Sequence, residues 1–229
     1  MTTEQRPVGT PPTQEDVRRD PEVEAFITKA NEYTGVIGYT EHGVRHASLS
    51  ANIATNVLRR LGHDARTVEL AAIAAYLHDI GNLVSRTNHE QASAMLADRI
   101  LARLQMPPEE RAIVMGAIGN HEERHGDVVS AVGAAVILAD KSDVHRSRVR
   151  NPEPKTFDIH DRVNYAAEHS FLRVDEKSKT LTLELTIDTT MSQVMEYFEI
   201  FLDRMLMCRR AAEFLGCGFK LQINGTKLL

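Results

Sequence analysis

Cysteine is scarce in this chain. Cys208 and Cys217 are the only two, both near the C-terminus. They cannot build a disulfide framework, which excludes the small secreted scaffolds stapled by several bridges. No apolar run approaches the roughly 20 residues that span a membrane. The first residues are polar and proline-bearing rather than basic and then apolar, so no leader is expected. The expectation is a cytoplasmic protein with reduced thiols and no membrane partner. An excess of positive charge is also missing: the formal net charge is −5, which gives no general pull towards nucleic acid. No internal repeat is visible. What remains is ordinary for a globular chain, with 42% apolar and 26% charged residues in 229. That length can bury one core and carry an appendage.

Residues 1–20 hold three prolines and few large apolar side chains, and they read as a mobile arm. Helical periodicity then dominates residues 21–150. Val44, Ala47, Ala51, Ala54, Val57 and Leu58 recur at three- and four-residue steps until Gly62. Leu70, Ile73, Ala74 and Leu77 repeat the pattern, and Gly81 stops it. Asn88 is a candidate N-cap for a helix through Leu104. Pro107 and Pro108 separate it from another that runs to about Asn120, and a further helix begins near Val129. Residues 151–229 differ in character. "SFLRVDEKSKTLTLELTID" alternates about a charged turn and reads as a hairpin. Met191 to Leu215 is a long amphipathic helix, and "CGFKLQING" a third short strand. Its stripe of Met195, Phe198, Phe201, Leu202, Met205 and Leu206 suits core or a homodimer interface. The expected fold is mainly α, a helical bundle with a small three-stranded α+β cap.

Histidine is plentiful. There are ten, none before His42, and seven fall between His42 and His125. His121-Glu122-Glu123-Arg124-His125 spells H-E-x-x-H, the zinc-protease pattern. That pattern needs a continuous helix, and Gly126-Asp127 ends one there. It also leaves other polar residues unexplained. His78-Asp79 closes an apolar helix, where charge is costly without a partner. His46 shares a face with Ile53 and Val57. Asp140 ends the apolar run "VGAAVILAD". His89 opens one helix and His121 ends another. His42 and His125 read as surface residues. Four imidazoles and two carboxylates suit Fe, Mn, Co, Ni or Zn better than Mg or Ca. Six such groups are about right for two ions bridged by a carboxylate and a water.

These residues resemble the HD-domain metal-dependent phosphohydrolases. The order H…HD…D is matched by His46, His78-Asp79 and Asp140, and the extra histidines of two-metal members by His89 and His121. The likeness covers about residues 40–150, with local wording similar to the HD domains of ribonuclease Y and of HD-GYP phosphodiesterases. Asn120-His121 stands where HD-GYP proteins pair two histidines, the GYP signature is missing, and Asn82 replaces a lysine common in relatives.

The resemblance implies hydrolysis of a phosphomonoester or phosphodiester, on a nucleotide or small phosphorylated metabolite, with Asp79 bridging the ions. Downstream, "KSDVHRSRVR" places Lys141 and Arg146 close after Asp140, where they are expected to hold phosphate oxygens as catalytic cations. The cluster lacks interleaved aromatics, so single-strand stacking is not supported. Two other classes stay open on the ligand set alone: a two-iron oxygenase, and an idle metal-binding regulatory module.

Overall fold

The computed structural model describes residues 10–228. Residues 1–9 of the expected arm lie outside that range. From Gln14 the described part of this stretch is helical. Thr13 and Asp16 form a capping box for α1 (Gln14–Arg18), and Val17 is fully buried. Asp20 then caps α2 (Pro21–Val36), with proline in its first turn. The arm is pinned because Arg66 donates to the Pro12 carbonyl at 3.0 Å, and one apolar side chain here is enough to anchor a turn.

The body continues through α3 (Val44–Arg60), α4 (Ala65–Leu77), α5 (His89–Arg103), α6 (Pro108–Gly119) and α7 (Ala131–Lys141). The inner helices α4 and α7 are apolar almost all round, and α7 is buried from Val132 to Lys141. Ala71, Ala74 and Ala75 are fully buried on α4, small enough to let α3 and α7 come close.

α4 ends at Leu77, and Gly81 lies in the 3-10 turn that follows (Ile80–Leu83), in a place only glycine can fill. A Cβ there would lie 2.2 Å from the His89 carbonyl oxygen and 2.3 Å from the Ser93 nitrogen. Its N–H donates to Ser93 Oγ at 2.7 Å. The glycine therefore lets the first turn of α5 close onto the end of α4, which sets His89 beside Asp79. Asn88 does precede α5, but in the left-handed region (φ 57°) and without a side-chain cap.

After α8 (Ile159–Ala166) come β1 (Ala167–Asp175), β2 (Thr180–Ile187), α9 (Val194–Phe214), β3 (Gly218–Ile223) and β4 (Thr226–Lys227). The sheet has four strands in the order β1-β2-β3-β4, not three. The fourth arises from Asn224-Gly225, both with positive φ (50° and 78°), a tight hairpin turn that folds the chain back. β1 and β2 pair antiparallel, while β2 and β3 run parallel across the α9 connection. α9 lies on α7, so one apolar core runs from Val17 to Ile223 through both regions.

Candidate metal centre

Five helices deliver six polar side chains to one point. His46 lies in the first turn of α3, His78 and Asp79 directly follow α4, and His89 opens α5. His121 follows α6, and Asp140 sits in the last turn of α7. All six are buried or nearly so. His46 Nε2 lies 3.2 Å from His78 Nε2, 3.5 Å from Asp79 Oδ2 and 3.4 Å from Asp140 Oδ1. His78 Nε2 lies 3.3 Å from Asp79 Oδ2 and 3.6 Å from Asp140 Oδ1. On the other side, His89 Nε2 lies 3.2 Å from His121 Nε2 and 3.3 Å from Asp79 Oδ1. Two overlapping donor sets result, His46/His78/Asp140 and His78/Asp79/His121.

The outer ring nitrogens fix the tautomers. His46 Nδ1 donates to Asp143 Oδ2 at 2.7 Å, His78 Nδ1 to the Ala75 carbonyl at 2.7 Å, and His121 Nδ1 to the Ile118 carbonyl at 2.7 Å. His89 Nδ1 donates to the Arg86 carbonyl at 3.2 Å. These partners only accept, so each imidazole turns its Nε2 inwards. Without a proton or a cation between them, two Nε2 lone pairs would face each other across 3.2 Å, twice. Asp79 Oδ2 is buried with no hydrogen-bond partner. Such a set needs cations inside it. Ligand atoms about 2.0–2.2 Å from an ion stand about 3–3.6 Å apart, the spacing observed, so the residues fit divalent metal.

Electrostatics point the same way. Burial works to lower the His78 imidazolium, yet Asp79 and Asp140 outweigh it and push it up to about 10. Burial also opposes ionisation of Asp79 and Asp140, but His78 holds Asp79, and Lys141 with His46 holds Asp140, well below the usual carboxylate range. His121, by contrast, is driven well down by burial and by its neighbours His78 and His89.

The two expected phosphate cations have other partners here. Lys141 is buried, with Nζ 2.7 Å from Asp140 Oδ2 and 2.6 Å from Glu123 Oε2. Arg146 is not on the helix that carries Asp140. The chain leaves α7 at Ser142, and Arg146 opens a separate 3-10 turn. It pairs with Glu168 at 2.9 Å and lies over the Tyr165 ring, among residues of α8 and β1. Residues 121–125 form no helix, so H-E-x-x-H lacks its frame, and His125 is exposed. His42 is buried rather than exposed; its Nδ1 donates to the Thr40 carbonyl at 2.6 Å.

Sequence reasoning missed four residues. Asp143 joins His46 to Arg45 and Arg148: Arg45 Nη2 is 2.7 Å and Arg148 Nε 3.6 Å from its carboxylate. Its position three residues after Asp140, one turn on, was a usable signal. Glu123 links Lys141 to Arg204 of α9, whose Nε lies 3.1 Å from Glu123 Oε1. Arg86 donates to Asn82 Oδ1 at 3.2 Å and His89 Nε2 at 3.1 Å, and lies 5.1 Å over the Tyr39 ring. Nothing in its neighbours marked it. Arg86, Arg204, Tyr39, His160 and Phe201 line two adjoining cavities of about 290 and 320 Å³, one reaching His42 and the other His89.

The family model described as HD domain matches residues 39–166, which takes in every residue of the cluster. An uncharacterized protein of Methanocaldococcus jannaschii, MJ1020, is 30% identical, over 80% of this chain and 79% of its own. With the match and the clustered histidines and aspartates in hand, the chain belongs to the HD-domain superfamily of metal-dependent hydrolases.

Proposed function

We propose that this chain hydrolyses a phosphomonoester or phosphodiester of a nucleotide or another small phosphorylated metabolite, using two divalent transition-metal ions (Fe, Mn, Co, Ni or Zn). His46, His78, Asp79, His89, His121 and Asp140 would hold them. The observation that carries this reading is the inward convergence of four Nε2 atoms and two carboxylates, with every Nδ1 engaged outside. Ions bound there supply Lewis acidity towards a phosphoryl oxygen and lower the pKa of a bound water.

The chain's own residues do the rest. Asp79 would serve both ions, since its Oδ2 faces His46 and His78 while its Oδ1 faces His89. Arg86 stands at the mouth on the Tyr39 ring, where a guanidinium can meet two phosphate oxygens in a fork. It would do there what the sequence suggests for Lys141 and Arg146. Glu123 and Lys141 balance the charge behind Asp140.

No helix among the described residues is long and apolar enough to cross a membrane. The free, buried thiols of Cys208 and Cys217 support a reducing, cytoplasmic setting. The exposed row Met195, Leu202 and Leu206 on α9 supports a homodimer, which sedimentation of Leu202→Asp tests.

The test of the function is elemental analysis of the purified protein with phosphoester screening under added Mn, Fe, Co and Ni. The expected result is close to two ions per chain and turnover of a phosphoester. Full loading with no phosphoester cleaved would leave an idle module, and oxygen consumption by a reduced iron pair would substitute the oxygenase.

A further inference from the structure

A further cavity lies apart from the metal centre. It occupies about 590 Å³ between α3 and β1, within the usual range for small-molecule sites. Its floor is apolar, made by Leu49, Ile53, Leu172 and Val174, and the ring of Phe171 stands beside it, 46% exposed. Its rim carries the guanidiniums of Arg45, Arg60 and Arg173, against Asp143 as the one lining carboxylate. Arg60 and Arg173 lean on Glu176 (3.3 Å) and Glu184 (2.6 Å) in exposed pairs. Such pairs exchange partners at little cost.

We infer that this cleft binds a small organic anion with a flat apolar body, and that its occupancy tightens metal at the neighbouring centre. The binding half rests on the cleft alone. The coupling half rests on the reading that His46 holds an ion.

The path is short. Arg45 divides itself between Glu41 (Nε, 2.9 Å) and Asp143 (Nη2, 2.7 Å). Asp143 Oδ2 accepts from Arg45 and from His46 Nδ1 at the same time. An anion in the cleft draws Arg45 towards itself and leaves Asp143 more fully to His46. Asp143 does not swing away, because Arg148 Nη1 donates to its backbone carbonyl at 2.7 Å and its Nε stays near the carboxylate. A less divided carboxylate makes His46 Nε2 a better donor to a metal. The ligand's own negative charge acts in the same direction, since it favours added cations nearby.

The probe is 1-anilinonaphthalene-8-sulfonate, an aromatic sulfonate of the required chemistry, titrated into the full chain with and without Mn²⁺. The expected result is a single saturable site whose affinity falls at least about tenfold in Arg60→Glu and in Ile53→Trp. Arg60 is on the surface, so its variant keeps the fold; Ile53→Trp fills the cavity without changing charge. Saturating dye should tighten Mn²⁺ binding by about fivefold, and Mn²⁺ should tighten the dye by the same factor. Several weak sites, indifferent to both variants, would overturn the binding site. So would variants that change oligomeric state instead of dye affinity, since the cleft would then be covered by a second copy. Mn²⁺ affinity unchanged or weakened by bound dye would overturn the coupling. If the wild type takes up none of Mn²⁺, Fe²⁺, Co²⁺, Ni²⁺ and Zn²⁺, the metal reading falls and the coupling with it, while the metal-free dye titration still decides the site.

Discussion

Asp143 Oδ2 accepts a hydrogen bond from His46 Nδ1 at 2.7 Å, and both side chains are almost fully buried. This pair fixes which imidazole nitrogen faces the metal centre. Asp143→Asn replaces a pure acceptor with an amide that can turn its NH₂ to the ring. Metal affinity should fall about 10–100-fold, read by calorimetric titration with Mn²⁺. An unchanged affinity would mean that Asp143 only packs.

Asp79 faces both halves of the cluster, whereas His89 and His121 face one. His89→Ala and His121→Ala should each lower the metal content while leaving one ion bound, and Asp79→Ala should reduce both. Elemental analysis of the three variants decides this. Full stoichiometry in both histidine variants would leave a site of one ion.

Lys141 and Arg146 should separate in stability rather than in turnover. Lys141→Met strips the cation from Asp140 and Glu123 in a buried setting, which should cost about 3–5 kcal/mol. Arg146→Ala loses an exposed pair with Glu168 and should cost less than about 1 kcal/mol, with phosphoester turnover unchanged. Urea unfolding of the two variants, both metal-free, makes the comparison. Equal losses would contradict the burial argument.

The metal-free protein should be most stable near neutral pH. His78 is raised in the fold from an ordinary 6.5 to about 10, so its contribution is whole below 6.5 and is lost as pH climbs towards 10. His121 and His42 are lowered in the fold, mainly by burial, so they favour unfolding as pH drops below 6.5. With metal bound, the ion replaces the proton on His78 and the alkaline loss should disappear. Thermal unfolding from pH 6.5 to 9, with and without Mn²⁺, tests it. Parallel curves would remove His78 from the cluster's charge balance.

The cluster was legible because its members interrupt apolar stripes at helix ends, where an unpartnered polar group is costly. His78-Asp79 after α4 and Asp140 at the end of α7 are of this kind. The residues that support them were harder to see. Arg204 and Glu123 meet across α9 and the loop after α6, a pairing set by tertiary packing that no local spacing encodes. Closeness in sequence to Asp140 does not carry Arg146 to the cluster, because α7 ends at Lys141 and the chain turns away before Arg146. In the fold, helix type and the hairpin followed from periodicity. The fourth strand was readable too, in Asn224-Gly225, a left-handed pair suited to a tight turn. The anchoring of Val17 was not readable, since a single buried side chain leaves no pattern.

The parallel pairing of β2 with β3 bears on the order in which the protein can assemble. Antiparallel β1 and β2 can zip as neighbours, but β3 pairs with β2 only once the chain that carries α9 has been made and crosses over. All six cluster residues precede that crossover in the chain, and Arg204 is carried on it. During synthesis the histidines and aspartates can therefore gather first. The counter-charge of Arg204 on Glu123 comes only when α9 lands on α7, so the docking of α9 also completes the electrostatic frame of the centre.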